Sequence, residues 1–267
     1  MDLTRPSELK PFLERHGFAL QKRFGQNFLI SRVHLEKIVG AAEIAKSDHV
    51  LEIGPGAGVL TVELAKQAGK VTSIELDRAL IPLLDDVMTE FDNFTLLQGD
   101  ALQLPLPEAN KVVANIPYNI TSPLLVRLLS HRPAFDSLTL LVQKEVAQRL
   151  VAAPGTSDYG ALTVFVNYYA SARIAVSVPK GVFLPPPKID SAAIHLTVHS
   201  VPPVEVPSEE ALFAVSRAAF GQRRKTIANA LSAGLERTRE DVESALNQCG
   251  IDPEGAVRHL RYRTLRL

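Results

Sequence analysis

The chain has one cysteine, no tryptophan, no net charge and no long apolar run, and each scarcity removes a class of protein. A single Cys249 among 267 residues excludes an internal disulfide framework and a thiolate metal site. Its helical surroundings predict a small buried hydrophobe. Lys and Arg number 29 and Asp and Glu 29, with a sequence pI near 7.1, which argues against a global electrostatic grip on nucleic acid and leaves only local patches. No stretch approaches the roughly 20 apolar residues of a membrane span, so no membrane association is expected. The segment from Met1 to Pro11 is charged and lacks a secretory apolar core, so a cytoplasmic protein is expected. What remains is ordinary for a folded chain. The 46% hydrophobic and 22% charged residues exclude disordered, collagen-like and coiled-coil classes, and the length suits one large domain or one with a small companion.

From His49 to about His199 short β-rich runs alternate with amphipathic stretches, which predicts an open α/β sheet covered by helices on both faces. Strands are expected at His49–Ile53, Lys70–Leu76, Phe94–Gln98, Lys111–Asn115 and Ser137–Gln143, then at Ile174–Val178 and Ile189–Val198. Leu60, Leu64, Ala65 and Ala68 recur at helical spacing between the first two runs. Helices are expected at Ser7–His16 and Ser31–Ala42, forming an N-terminal extension over about residues 1–45. Val201–Pro207 carries three prolines in seven residues and reads as a linker. The expected division is therefore 1–200 for the sheet domain and 201–267 for a small all-helical one. In the latter, Leu212, Val215 and Ala219 share one face, as do Val242, Ala245, Leu246 and Cys249.

Ligands of open α/β sheets sit at the C-terminal ends of the strands, where strand order reverses. After the first strand comes Glu52-Ile53-Gly54-Pro55-Gly56-Ala57-Gly58, and Glu75 ends the second strand 21 residues beyond Gly54. Such glycines let the backbone approach a ligand, and an acid about 20 residues on can accept ribose hydroxyls, so a nucleoside-containing cofactor is expected. Val59 stands where a dinucleotide fingerprint has its third glycine, which weighs against a nicotinamide oxidoreductase. Asp100 follows the third strand, and could accept from an exocyclic base amine or simply form an Asx turn. Asn115-Ile116-Pro117-Tyr118 follows the fourth. Pro117 biases Ile116 to an extended form, which can aim the Asn115 amide and the Ile116 carbonyl at one point, with the Tyr118 ring beside it. An exocyclic adenine amine is a poor nucleophile because its lone pair is delocalised. Two acceptors and a stacking ring would localise that pair toward an electrophile such as a sulfonium methyl about 3–3.5 Å away.

With these residues the sequence resembles the ribosomal RNA adenine dimethyltransferases, specifically the bacterial small-subunit (16S) adenine N6,N6-dimethyltransferase family. The resemblance runs nearly end to end, on KRFGQNFL (Lys22–Leu29), LEIGPGAGVLT (Leu51–Thr61), IELD (Ile74–Asp77), QGDA (Gln98–Ala101), ANIPYNITSPLL (Ala114–Leu125), QKEVAQRL (Gln143–Leu150), FLPPPKIDSA (Phe183–Ala192) and FGQRRKTIANAL (Phe220–Leu231). It implies a Rossmann-like class I methyltransferase sheet and S-adenosylmethionine as cofactor. The matching motif positions implicate Asn27, Leu29, Gly54, Gly56, Glu75, Leu76, Asp100, Ala101 and Asn115 in cofactor binding. Asn115, Ile116, Pro117 and Tyr118 would orient and stack the target adenine, and Phe183 would close the other face or serve as a structural aromatic under its proline-rich loop. Ile116 stands where leucine is common in the family, and it is the backbone there that the chemistry uses.

The resemblance further implies two methyls on each of two adjacent adenines in a hairpin near the 3′ end of 16S rRNA, within an assembling small subunit. Candidate phosphate contacts are Lys22, Arg23, Arg223, Arg224 and Lys225, with four arginines in the last 13 residues. Residues 201–267 hold ten basic and nine acidic side chains, so charge is patterned and not abundant. His195 and His199 lack a third ligand, and no metal is expected. Nothing demands more than a monomer. Two rivals stand: a 23S rRNA dimethyltransferase of the antibiotic-resistance type, and an assembly checkpoint factor whose binding matters more than its catalysis.

Overall fold

The computed structural model describes residues 1–18, 26–222 and 224–257. The chain divides into two compact units, Met1–Ala147 with Arg173–Val198, and Gln148–Ala172 with His199–Leu267.

The first unit begins with α1 (Pro6–Arg15), which starts on a proline whose missing N–H has no helical partner to lose. Leu9, Phe12 and Leu13 form its buried stripe. A two-residue strand, β1 (Phe28–Leu29), precedes α2 (Arg32–Ala41). There follow β2 (His49–Ile53), α3 (Val59–Gln67), β3 (Lys70–Glu75), α4 (Ile81–Met88), β4 (Phe94–Gln98), β5 (Lys111–Asn115), α5 (Thr121–Leu129), β6 (Ser137–Gln143) and α6 (Lys144–Leu150). Later come β7 (Ala170–Val178), β8 (Phe183–Leu184) and β9 (Ser191–Val198). Seven strands form one sheet in the order β4-β3-β2-β5-β6-β9-β7. β4, β3, β2, β5 and β6 are mutually parallel and β9 runs antiparallel to β6. The central strands are apolar and buried on both faces, as parallel strands under two helical layers must be. Leu60, Leu64, Ala65 and Ala68 are all buried, so the expected helical stripe on α3 is the one that packs. The chain winds outward from β2 to β3 and β4, then returns to β5 on the other side of β2. That reversal places the crevice at the C-terminal ends of β2 and β5.

Four expected strands coincide with β2, β4, β5 and β6. β7 begins four residues before Ile174, because its first half alternates buried and exposed positions without an apolar run. β8 was not anticipated; it pairs antiparallel with β1, Phe28 opposite Leu184 and Leu29 opposite Phe183.

The second unit holds α7 (Ala161–Tyr169), α8 (Glu209–Gly221), α9 (Ile227–Leu235) and α10 (Arg239–Gln248). A single cut near residue 200 assigns Gln148–Ala172 to the sheet domain, whereas the compact unit takes it in with the C-terminal helices. Aromatic packing is the reason. Phe165, Tyr168 and Tyr169 of α7 surround Phe213 of α8 with ring centroids 4.8, 5.5 and 5.7 Å away. Tyr159, fully buried, meets Phe220 edge-on at 5.6 Å. Cys249 is exposed, which corrects the expectation of a buried hydrophobe: α10 ends at Gln248, so Cys249 is its cap residue and leaves the Val242–Leu246 stripe. α8 and α9 cross so closely that a Cβ on Gly234 would lie 2.5 Å from the Cβ of Ala218. Gly234→Ala should therefore destabilise this unit by about 1–3 kcal/mol, read as a lowered denaturation midpoint with the slope unchanged.

Candidate active site

Every strand end that faces the crevice contributes to a single cavity. β2 delivers the turn Gly54-Pro55-Gly56, with Gly54 and Gly56 at φ +68° and +61°, a region that only glycine enters without strain. The approach is close as well: a Cβ on Gly56 would stand 3.0 Å from the Phe28 ring. β3 delivers Glu75 and Leu76, the first buried at 6% exposure and the second an apolar side chain left 53% exposed at the cavity. The Glu75 carboxylate accepts from the backbone N–H of Gly56 at 3.2 Å and of Asp77 at 2.8 Å. Burial nonetheless raises its pKa above the usual carboxylate range, with Asp77 nearby adding to the effect.

β4 delivers Asp100 and Ala101 to the same cavity. Asp100 accepts from the Leu102 N–H at 2.9 Å, an Asx turn, and from the Gln103 amide at 3.2 Å. The two readings of Asp100 are thus compatible, since the turn holds the carboxylate at the cavity wall. Asn27 and Leu29 close the cavity from the segment around β1.

β5 delivers Asn115, Ile116, Pro117 and Tyr118. The Asn115 amide donates to the Asn27 carbonyl at 3.0 Å, which fixes the amide plane and reserves its oxygen as an acceptor. Pro117 is held at φ −55°, ψ 127° and begins a tight turn over Tyr118–Ile120. The Tyr118 hydroxyl hydrogen-bonds the Ser191 hydroxyl at 2.6 Å, and burial raises the phenol pKa, so the ring is neutral and pinned at its far end. Ser191→Ala should remove that pin. A loss of about 3–10-fold in turnover with cofactor affinity unchanged is expected, as one neutral hydrogen bond contributes about 0.5–1.5 kcal/mol; steady-state kinetics beside calorimetric cofactor titration reads the split.

Phe183, on β8 opposite Leu29, is 2% exposed, packs in the hydrophobic core and is not among the residues that line the cavity, which agrees with the reading of a structural aromatic under its loop. Of the expected phosphate contacts, Arg224 and Lys225 lie exposed on the connection between α8 and α9. Lys22, Arg23, Arg223 and the arginines of the last ten residues lie outside the described residues. Among the described residues no group of three His, Cys, Asp or Glu could hold a metal ion, and no helix is long and apolar enough to cross a membrane.

Two residues escaped sequence reasoning. Ser191 lies 73 positions from Tyr118, and nothing local in the sequence pairs them. Glu52 is 1% exposed yet lines the cavity, on a strand whose two faces are equally buried. With Glu75 and Asp100 it makes three carboxyl groups around the cavity, where no Lys, Arg or His stands among the described lining residues. Such a wall suits a cationic ligand and opposes a dinucleotide pyrophosphate.

The parallel sheet with its antiparallel β9, the glycine turn after β2 and the acids after β3 and β4 define a class I methyltransferase with a Rossmann-like sheet. Comparison with known proteins narrows the class. The family model described as ribosomal RNA adenine dimethylase matches residues 17–265. Relatives named ribosomal RNA small subunit methyltransferase A are 44% identical in Geobacillus thermodenitrificans and 43% in Shouchella clausii, over 94–95% of this chain and 90% of theirs. Among solved structures, a dimethyladenosine transferase from Plasmodium falciparum is 29% identical with a TM-score of 0.79, covering 89% of this chain and 95% of its own. The 23S rRNA methyltransferase ErmE is 31% identical with a TM-score of 0.69, covering 90% and 96%. The chain belongs to the ribosomal RNA adenine dimethylase family and is an rRNA adenine dimethyltransferase.

Proposed function

We propose that this enzyme dimethylates the N6 amines of two adjacent adenines in a hairpin near the 3′ end of 16S rRNA, in an assembling small subunit, with S-adenosylmethionine as methyl donor. The observation that carries the reading is the Asn115 amide, whose N–H is committed to the Asn27 carbonyl, which leaves its oxygen as an acceptor on a residue that lines the cavity with the anchored Tyr118. The small-subunit assignment is supported by the names of the 44% and 43% identical relatives.

The cavity fits the cofactor. Gly54 and Gly56 admit it close to the backbone, Glu75 would accept the ribose hydroxyls, and Asp100 would accept the base amine, with Ala101 beside it. Leu76 offers an apolar face to the adenine ring, while Asn27 and Leu29 cover the opening. When bound, the cofactor supplies an activated methyl on a sulfonium. The protein's own residues then govern the incoming base. Asn115 Oδ1 and the Ile116 carbonyl would accept the two N6 protons, and Tyr118 would stack on the adenine plane. Extruding that base from its loop costs a few kcal/mol, and stacking returns about 1–3 kcal/mol. Positioning at near-contact distance does the rest of the work, with no strong base and no covalent intermediate.

Arg224 and Lys225, with Lys22, Arg23 and Arg223 from the sequence, would meet RNA phosphates. Because the chain is neutral overall, the grip depends on the shape of a folded particle more than on charge, and its salt slope should be shallow. One copy suffices for this arrangement. The similarity to ErmE keeps a large-subunit reading in play. Transfer of labelled methyl to assembling small subunits, with dimethyladenosine mapped by mass in 16S fragments, is the expected result. Preferential labelling of naked 23S rRNA would overturn the small-subunit assignment.

A further inference from the structure

We propose that Arg127, a residue outside the cavity, is the positioning residue that sets the Asp100 carboxylate and so determines how strongly the site prefers a 6-amino purine to a 6-oxo one. The inference rests on the cofactor reading above, in which Asp100 accepts the base amine.

Arg127 stands in the last turn of α5, a helix whose Leu124, Leu125, Leu128 and Leu129 are buried. It does not line the cavity. Its guanidinium donates to main-chain carbonyls of a distant segment, Nη1 to that of Leu102 and Nη2 to that of Leu104. Asp100 holds the same two residues from the other side. The Leu102 N–H donates to the Asp100 carboxylate at 2.9 Å, and the Leu104 N–H donates to the Asp100 carbonyl at 2.8 Å. Each leucine is thus gripped at its N–H by Asp100 and at its carbonyl by Arg127. The Leu102 carbonyl also shares a peptide unit with the Gln103 N–H, which donates to the Asp100 carbonyl at 2.9 Å. A cationic donor at one end of such a chain polarises the bonds along it and strengthens them. The turn has little room to rearrange, since Leu104 packs over Gly99 so closely that a Cβ there would stand 2.5 Å from the Leu104 Cδ1.

The residue type matters. Two carbonyl oxygens brought toward one point repel each other, and a planar guanidinium offers each its own N–H at a fixed spacing, whereas an ammonium is a point charge on a flexible stem. The helix that carries this group begins at Thr121, whose hydroxyl donates to the Tyr118 carbonyl at 3.3 Å. One rigid element therefore bears on the segment that receives the target base and on the turn that receives the cofactor base. Without the guanidinium the Asp100 carboxylate keeps its bond to the Leu102 N–H, but that N–H no longer has a fixed place. The loss falls on the contact to the base amine, while Glu75 and the glycine turn hold the rest of the ligand as before. A brace with no part in recognition would weaken all ligands alike.

The experiment is calorimetric titration of the full-length protein with S-adenosylhomocysteine and with S-inosylhomocysteine, in which an oxygen replaces the amine. The wild-type protein should prefer the amino ligand. Arg127→Met keeps the apolar stem without its donors and should reduce that preference by roughly tenfold, almost entirely through weaker binding of the amino ligand. Arg127→Lys reaches one carbonyl at a time and should recover part of it. In an Asp100→Ala background Arg127→Met should change affinity for the amino ligand by less than about twofold, because the two residues act through one contact. In steady state Arg127→Met should raise the KM for S-adenosylmethionine about tenfold and lower kcat less than about threefold. Equal weakening of both ligands by Arg127→Met, or its full effect persisting beside Asp100→Ala, overturns the inference. Should Arg127→Met not fold, the same two-ligand comparison on Arg127→Lys decides. A wild-type protein that binds both ligands equally overturns instead the role of Asp100 in the cofactor reading beneath it.

Discussion

Asn115→Ala is expected to lower methyl transfer by about 10²–10³-fold or more, the scale on which removal of one preorganised polar partner from a reacting group is felt. The amine to be methylated has its lone pair drawn into the adenine ring. Only groups that hold its protons can return that pair to nitrogen, and Asn115 provides one of two such acceptors. Its orientation is fixed by the 3.0 Å donation to the Asn27 carbonyl, so no reorganisation is needed when the base arrives. Asn115→Asp separates the two functions: it keeps an oxygen but loses the donor, setting a carboxylate against the Asn27 carbonyl. It should also be severely impaired. Single-turnover transfer to small subunits measures the chemical step, and calorimetry should show cofactor binding weakened but measurable. Wild-type transfer by Asn115→Ala would remove Asn115 from the mechanism. Rescue of subunit assembly by the inactive variant would show that binding, and not methylation, is the more important cellular role.

How far the sequence reaches depends on whether a feature is local. Strands buried on both faces announce themselves as short apolar runs, so β2, β5 and β6 are legible to the residue, and the edge strand β4 is legible from its β-rich composition although none of its residues is buried. The glycine turn, Glu75, Asp100 and the Asn115–Tyr118 segment are legible for a related reason: each follows a strand, and in an open α/β sheet the strand ends converge. Features set by long-range register are not. β8 is two residues long and exists through pairing with β1, so no local pattern marks it as a strand or decides between a buried and a cavity-facing Phe183. The Tyr118–Ser191 bond depends on the tertiary placement of a loop and a distant strand. Gln148–Ala172 joins the helical unit through ring packing on Phe213, an interaction with no periodic signature. Glu52 shows the subtlest limit. On a strand with one wet face, alternation would reveal which way an acid points, but β2 is buried on both faces and the pattern is silent.

Glu75→Ala is the second substitution with a large expected effect, a loss of about 10²–10⁴-fold in cofactor affinity. Two hydroxyls donating to one carboxylate contribute about 1.5–3 kcal/mol each, and every 1.4 kcal/mol is tenfold. The loss extends beyond the ligand, because the same carboxylate organises the protein around it. It accepts from the N–H groups of Gly56 and Asp77, and without it both donors face a gap. Asp77 in turn accepts from the Gln26 amide at 2.8 Å and the Ala79 N–H at 3.0 Å, so the disturbance reaches the segment that carries Asn27 and Leu29. Glu75→Gln should fall between the two, since it keeps an acceptor for one N–H but must turn its own amide toward the other. Cofactor titration gives the affinities. A thermal scan gives an independent readout, because a ligand that binds the folded state raises the midpoint by an amount set by its concentration over Kd, and that increment should vanish in Glu75→Ala. If Glu75→Ala retained wild-type affinity and the full ligand-induced shift, the ribose would have to be held elsewhere, and the acid at the end of β3 would be left with the glycine turn as its only task.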